Sequence, residues 1–421
     1  MKISIGRSEV SGRATAPSSK SYTIRGLMCA ALAKGKSTIN RPLESDDTDA
    51  AVDVLEKIGV DIEQKLDLWS VSGGCFHQPD SDLYCRESAA TLRFMTAIAS
   101  VVPGKARLSS SVSSSRRPIE PLVEALWQLG IDCQYEAGTN IFSIKGGNVK
   151  GGSVFLPGNI SSQYVSALLL VGPLFENGIT ISLTTPLESK PYVEMTIECL
   201  RAFGIEVNTS LYFTEFTVLK QQYRPTKYPI EGDWSSASYL LALGALTGEI
   251  MVDNLNPGSL QGDKRLLDSL RQMGVDIIIK NNEVIVRRSK LRAIKVDMTD
   301  CIDLLPTMAV LAAMAEGTSE LTGIARARLK ESDRVLSVKE ELSKAGVTVR
   351  ETTDCLTIVG TKPRGGQFDS HGDHRIAMAL SLIGMVTGDT VINGAECVSK
   401  TYPSFWEELA RLGVKVKIYG E

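Results

Sequence analysis

Leu55-Glu56-Lys57-Ile58-Gly59-Val60-Asp61-Ile62 reads as the end of an amphipathic helix, a glycine and the start of a strand that alternates apolar and polar. The same eight-residue phrase returns at Leu126–Cys133, Leu200–Val207, Leu270–Ile277, Leu342–Val349 and Leu409–Val416. Its glycines, Gly59, Gly130, Gly204, Gly274, Gly346 and Gly413, stand about 70 residues apart. Each fits the left-handed position that closes a helix, where a Cβ is penalised.

A second phrase interleaves with the first: an Ala- and Leu-rich helix that ends near a glycine and gives way to a short strand. It occurs at Ala30–Gly35, Ala97–Gly104, Leu168–Gly178, Leu241–Gly248, Leu311–Gly317 and Leu382–Gly388. These helices are apolar nearly all round and are expected to be buried. The chain is thus six copies of one α/β unit, each with one buried and one amphipathic helix, and three copies make a compact domain. Gly12-Arg13-Ala14 and the polar run Gln221–Pro229 read as linkers. The expected division is a domain of residues 14–228 and a second of residues 229–421 completed by 1–13, whose first strand is expected over about residues 2–11.

The 421 residues carry 46 Lys and Arg against 49 Asp and Glu, a net charge of −3, so no broad basic field exists to gather nucleic acid or an anionic membrane. No run of ~18 apolar residues and no leader-like start is present, and the eight cysteines form no CxxC pair. A cytoplasmic protein with reduced thiols is expected. The chain lacks a Walker phosphate loop, a dinucleotide fingerprint and a GxSxG elbow. His371-Gly372-Asp373-His374 brings two of the three histidines together, but no Cys/His cluster supplies the four ligands of a structural zinc. Neither metal nor cofactor is expected.

Helix N-termini attract anions, so the leaders of the six buried helices are the place to look for a site. They are Ser18-Ser19-Lys20-Ser21, Glu87-Ser88-Ala89-Ala90-Thr91, Ser161-Ser162-Gln163, Asp233-Trp234-Ser235-Ser236, Cys301-Ile302-Asp303 and Asp373-His374-Arg375. Helix capping alone accounts for Ser and Asp there. It does not account for Lys20, Arg25, Gln163, His374 or Arg375. Three more segments add charge: Ser113-Ser114-Ser115-Arg116-Arg117-Pro118, expected to place Arg117 at a helix start; Arg328–Arg334, whose default reading is a solvated face; and Ser399-Lys400-Thr401. Together they suit a ligand with several negative groups.

These leaders, with Ser45-Asp46-Asp47, Arg117-Pro118-Ile119, Ser189-Lys190-Pro191-Tyr192, Glu231-Gly232-Asp233, Lys330–Arg334 and Lys400-Thr401, resemble in order the hallmark segments of the 5-enolpyruvylshikimate-3-phosphate synthase family of enolpyruvyl transferases. The resemblance implies a monomer of two domains, each of three βαβαββ units, with the active site in the cleft between them. It implies transfer of the enolpyruvyl group of phosphoenolpyruvate to the 5-hydroxyl of shikimate 3-phosphate, a step of aromatic amino-acid biosynthesis. Lys20, Ser21, Arg25, Ser161, Ser162, Gln163, Ser189, Tyr192, Asp303 and Lys330 would hold shikimate 3-phosphate. Lys20, Ala89, Arg117, Gln163, Arg334, Arg375 and Lys400 would hold phosphoenolpyruvate, with His374 nearby. Glu331 is expected as the acid at carbon and Asp303 as the base at the hydroxyl, with Lys20 assisting.

Two departures stand out. Glu87-Ser88-Ala89-Ala90 aligns with a family segment that usually reads Asn-Ala-Gly-Thr, so a methyl at Ala89 is expected to disfavour glyphosate. Arg326 stands where some members carry Asn, and no role is carried onto it. The enolpyruvyl transferases that act on UDP-N-acetylglucosamine carry a cysteine five residues before the Arg-Pro pair; here that position is Val112. A non-catalytic anion-binding relative would be expected to have lost some of Lys20, Asp303, Glu331 and His374.

Overall fold

The computed structural model describes residues 1–111, 117–135 and 141–420. Val112 and the polar loop Ser113–Arg116 lie outside the described residues. Two strands open the chain, β1 (Lys2–Gly6) and β2 (Ser11–Thr15). The first repeat follows as α1 (Lys20–Leu32), β3 (Gly35–Asn40), α2 (Asp46–Glu56), β4 (Asp61–Lys65) and β5 (Leu68–Gly73). The second is β6 (Leu83–Tyr84), α3 (Ala89–Ile98), β7 (Gly104–Ser109), α4 (Glu120–Gln128), β8 (Asp132–Tyr135) and β9 (Phe142–Gly146). The third is β10 (Gly152–Leu156), α5 (Ser162–Val171), β11 (Ile179–Leu183), α6 (Lys190–Ala202), β12 (Asn208–Thr209) and β13 (Glu215–Val218), after which comes β14 (Lys227–Pro229). The fourth is α7 (Trp234–Thr247), β15 (Glu249–Asp253), α8 (Leu266–Gln272), β16 (Asp276–Lys280) and β17 (Glu283–Arg287). The fifth is β18 (Lys295–Asp297), α9 (Leu305–Ala313), β19 (Thr318–Thr322), α10 (Arg334–Lys344), β20 (Thr348–Glu351) and β21 (Cys355–Val359). The sixth is β22 (Gln367–Asp369), α11 (His374–Thr387), β23 (Thr390–Asn393), α12 (Phe405–Arg411) and β24 (Lys415–Tyr419).

Each repeat builds one four-stranded sheet. The order within a repeat is first, second, fourth, third, as in β6-β7-β9-β8 and β18-β19-β21-β20, with a parallel pair at one edge and antiparallel pairs across the rest. Three repeats lack a strand of their own and take it from elsewhere. β2 fills the parallel edge beside β15, β14 does the same beside β3, and β1 lies between β23 and β24. Two runs that read as linkers are therefore strands: Gly12-Arg13-Ala14 falls inside β2, and Lys227–Pro229 is β14. The first strand also ends at Gly6 instead of running to about residue 11.

The chain divides into two compact units, Ser18–Glu231 and Met1–Pro17 with Gly232–Glu421, a few residues beyond the boundaries read from composition. Each unit has its own apolar core. In the first, α1, α3 and α5 are buried over most of their length; in the second, α7, α9 and α11 are, and they pack on one another. A helix with no wet face can exist only where its polar ends find partners, because a buried unpaired amide costs as much as a lost hydrogen bond. The six glycines of the helix–strand phrase all take left-handed backbone, with φ of 102° at Gly59, 74° at Gly130, 83° at Gly204, 91° at Gly274, 80° at Gly346 and 92° at Gly413.

All eight cysteines are free thiols, with only Cys75 exposed. Among the described residues no helix is long and apolar enough to cross a membrane.

Candidate active site

The buried helices begin at the residues singled out in the sequence. Ser19, Ser88, Ser161, Asp233 and Asp373 cap α1, α3, α5, α7 and α11 through their side chains. The fifth leader differs. Cys301-Ile302-Asp303 enters a 3₁₀ turn, Ile302–Leu304, and α9 begins only at Leu305 with no side-chain cap. The Asp303 carboxylate is engaged by Lys330, Arg334 and Arg375.

In the unit Ser18–Glu231, Lys20 opens α1 and its Nζ lies 2.8 Å from Asp47 of α2. Gln163, in the first turn of α5, accepts from Arg93 at 2.6 Å. The same guanidinium reaches Ser161 Oγ at 3.2 Å and the Pro118 carbonyl at 2.9 Å. Arg93 thus ties α3, α5 and the approach to α4 together. Arg25 is buried over the rings of Phe94 and Tyr192, and donates to Thr196, Ser21 O and Tyr192 O at 2.8, 3.0 and 3.1 Å. In this state it braces Ser21 and Tyr192. Ser189 precedes α6 in left-handed backbone, φ 53°. Ser162 is buried within the first turn of α5, and Ala89 is the buried first residue of α3. Arg117 does not stand at a helix start: α4 begins at Glu120, the first-turn proline is Pro121, and the Pro118 carbonyl instead receives Arg93 and the Tyr164 hydroxyl.

In the other unit the charges are denser. Arg334, the first residue of α10, is 1% exposed. Its Nε meets Asp373 at 2.7 Å, and its two terminal nitrogens meet Asp303 at 2.6 Å and Glu331 at 2.5 Å. Asp303 is shared further, with Lys330 at 3.2 Å and Arg375 at 3.3 Å. Asp373 is fully buried, accepts from Ser332 Oγ and the Arg375 amide, and lies 3.8 Å from His374 Nδ1. The run Arg328–Arg334 is therefore no simple solvated face. Arg328 pairs with Asp333 and Glu351 at the rim, while Arg334 turns into the interior. Lys400 ends a 3₁₀ turn, Ala395–Lys400, and is 7% exposed. Arg326 donates to Thr299 O at 2.8 Å.

These contacts set the protonation of the cluster. Burial pushes Asp303 up, but Arg375, Lys330 and Arg334 outweigh it and hold the carboxyl well below the usual range. Burial pushes Lys330 down to about 8, against the pull of Asp303. Arg334 is driven the other way, because Asp373, Glu331 and Asp303 overcome its burial.

Two residues escaped the sequence reading. Arg93 carries the only charge in Ala89–Ile98, and a lone cation in an apolar buried helix is a usable signal. Asp263 is 2% exposed; the Ser235 hydroxyl donates to one carboxylate oxygen and the other has no hydrogen-bond partner among the described residues. Burial, and then the charge of Asp303, push Asp263 up to about 7. Nothing in Gln261-Gly262-Asp263 marks it locally as buried.

The architecture is that of the enolpyruvyl transferases: NikO of Streptomyces tendae, an enolpyruvyl transferase, shares the fold with a TM-score of 0.78 at 18% identity over 99% of this chain and 98% of that one. The EPSP synthase of Acinetobacter baumannii superposes with a TM-score of 0.85 at 28% identity over 99% of this chain and 100% of that one. The 3-phosphoshikimate 1-carboxyvinyltransferases of Dehalococcoides mccartyi and Methanosarcina acetivorans are 48% and 42% identical over 99% and 100% of both chains. Residues 5–409 match the model of the family described as EPSP synthase (3-phosphoshikimate 1-carboxyvinyltransferase). The chain belongs to the EPSP synthase family, as the order of its polar segments leads one to expect.

Asp263 gives a pH-dependent prediction. Its folded-state pKa, about 7, lies above the ordinary 3.8, so the native state keeps a proton that the unfolded chain gives up. The resulting penalty is absent below about pH 4, grows between 4 and 7, and is constant above 7. Asp263→Asn removes it. Urea denaturation is expected to show the variant gaining stability relative to the parent by a few kcal/mol, ~1.4 per pKa unit, between pH 4 and pH 8.

Proposed function

We propose that this chain transfers the enolpyruvyl group of phosphoenolpyruvate to the 5-hydroxyl of shikimate 3-phosphate, releasing inorganic phosphate. The observation that carries the reading is the sharing of one carboxylate, Asp303, among Lys330, Arg334 and Arg375. Each substrate brings a phosphate and a carboxylate, and forked guanidinium groups suit both. Lys20, Ser21, Arg25, Ser161, Ser162, Gln163, Ser189, Tyr192, Asp303 and Lys330 are assigned to shikimate 3-phosphate. Arg117, Arg334, Arg375 and Lys400, with Lys20 and Gln163, are assigned to phosphoenolpyruvate beside Ala89 and His374.

The chemistry follows from the pairing. Without substrate, Asp303 is a weak base because three cations hold its charge. When substrate anions take over those cations, Asp303 regains basicity and accepts the 5-hydroxyl proton, with Lys20 assisting. The freed oxygen bonds to C2 of phosphoenolpyruvate while C3 takes a proton from Glu331, giving a tetrahedral ketal phosphate. Glu331 is tied to Arg334. An incoming carboxylate that claims Arg334 releases Glu331 from the ion pair, and Glu331 then takes a proton from solvent, which it holds for this step. Breakage of the C2–O(phosphate) bond then expels phosphate, a C3 proton returns to Glu331, and the proton on Asp303 leaves with the phosphate. Stabilising charge as it develops is the larger contribution, and proton transfer adds ~10²–10⁴-fold.

A coupled assay for inorganic phosphate is expected to show release from phosphoenolpyruvate only when shikimate 3-phosphate is present, and none with UDP-N-acetylglucosamine. Glu331→Gln is expected to lower kcat by ~10²–10⁴ while moving either KM less than about threefold. Release with the nucleotide sugar, or without any acceptor, would remove the assignment. Glyphosate is expected to compete weakly with phosphoenolpyruvate, and Ala89→Gly to tighten it by at least about tenfold, the worth of a removed clash of ~1.4 kcal/mol; an unchanged inhibition constant would contradict the role given to the methyl.

A further inference from the structure

His371 has no part in the chemistry above, yet its geometry is costly. It and Gly372 are consecutive left-handed residues, φ 53° and 67°, between β22 and the Asp373 cap of α11. Left-handed backbone brings the histidine Cβ close to the following carbonyl oxygen, so its neighbours must hold it there. Its amide donates to Asp369 Oδ1 at 2.7 Å, and its Nε2 lies 2.7 Å from Glu341 Oε1. Glu341 is a fully buried residue of α10. It also receives Lys344 Nζ at 2.8 and 3.0 Å and the Asp369 amide at 3.1 Å.

Glu341 follows Arg334 by seven residues and so stands on the same face of α10. The segment Asp369–Arg375 therefore meets that face at two places: Asp373 against Arg334, and His371 with Asp369 against Glu341. Glu340, Glu341 and His371 also form the one group among the described residues with the crowding of a metal site. Both oxygens of Glu341 are already taken by Lys344 and the Asp369 amide, and Glu340 stands 4.0 Å from the ring, so the group reads as an ion pair.

We propose that His371 is a positioning residue for phosphoenolpyruvate, clasping the segment that carries His374 and Arg375 to α10 so that Arg375 and Arg334 keep their spacing. The inference rests on the assignment of Arg334 and Arg375 to that substrate. The charged groups facing His371 are Glu341 and Glu340 from α10 and Asp369 from its own segment, with Lys344 behind Glu341. The bond to Glu341, more than any other contact, raises His371 above its ordinary 6.5. The clasp is therefore tightest below that raised pKa, and it weakens as pH rises through it, when a charge-assisted hydrogen bond becomes a neutral one.

The test combines kinetics with imidazole NMR, which the three histidines make tractable. kcat/KM for each substrate is measured from pH 6 to 8.5 in the parent, in His371→Gln, which keeps a donor but does not titrate, and in His371→Asn, which tolerates left-handed backbone but is shorter. The ratio of parent to His371→Gln in kcat/KM for phosphoenolpyruvate is expected to fall at least threefold from pH 6 to 8.5. His371→Asn is expected to raise the KM for phosphoenolpyruvate at least fivefold and that for shikimate 3-phosphate less than twofold. The His371 ring is expected to titrate above 6.5 in the parent. Parallel pH profiles, equal movement of both KM values, or a His371 ring titrating at or below 6.5 would overturn the proposal. Arg375→Met separates the layers: if it leaves the phosphoenolpyruvate KM unchanged, the ligand assignment fails and this inference with it. If it raises that KM and the His371 variants do not, the clasp alone is wrong.

Discussion

A carboxylate shared by three cations organises the charged cluster of the unit Met1–Pro17 with Gly232–Glu421. Arg334, Lys330 and Arg375 converge on Asp303, and Arg334 is held from its other sides by Glu331 and Asp373. Isolated, any one of these charges would be costly to bury by several kcal/mol. Together they neutralise one another and fix the cations in place before substrate arrives. In the function proposed above, the protein's own carboxylates hold positions that substrate anions claim, so the cations need little reorganisation. The unit Ser18–Glu231 uses the same device more sparingly, with Asp47 on Lys20 and Gln163 on Arg93.

The fold makes this possible by placing polar ends of apolar helices where charges are wanted. A helix buried on all sides can offer function only at its termini, and five of the six buried helices begin with a side-chain cap that satisfies some amides. The sixth, α9, begins without one, and its preceding 3₁₀ turn carries Asp303, the residue on which the cluster depends. In the proposed clasp, a residue in left-handed backbone, held by a buried glutamate, sets the approach to the start of α11.

The repeat was legible because it is written locally: a glycine that needs left-handed backbone marks each helix end, whatever the rest of the chain does. Elements completed from far along the chain were not. β2 is stabilised by β15, beginning at Glu249, and β14 by β3, beginning at Gly35, so neither Gly12-Arg13-Ala14 nor Lys227–Pro229 carries its own signal. Pro118 misled for a related reason, since a second proline three residues on, Pro121, is the one in the helical turn. Arg375 came from unexplained charge at a helix start together with family resemblance, whereas Lys330 and Arg334, in a run that reads by default as a solvated face, came from the resemblance. Their convergence on one carboxylate is a tertiary fact. Asp263 shows the limit most clearly, because its burial is set by neighbours remote in sequence.

Proton linkage on binding tests the central claim most directly. Titration calorimetry at pH 8, in buffers of differing ionisation enthalpy, counts protons exchanged as shikimate 3-phosphate binds. Lys330, held down to about 8, is only partly charged in the free protein. An anion that replaces its burial penalty with a direct partner drives it to full protonation, so the account predicts net proton uptake. No exchange, or net release, would contradict the view that these cations lie ready for substrate.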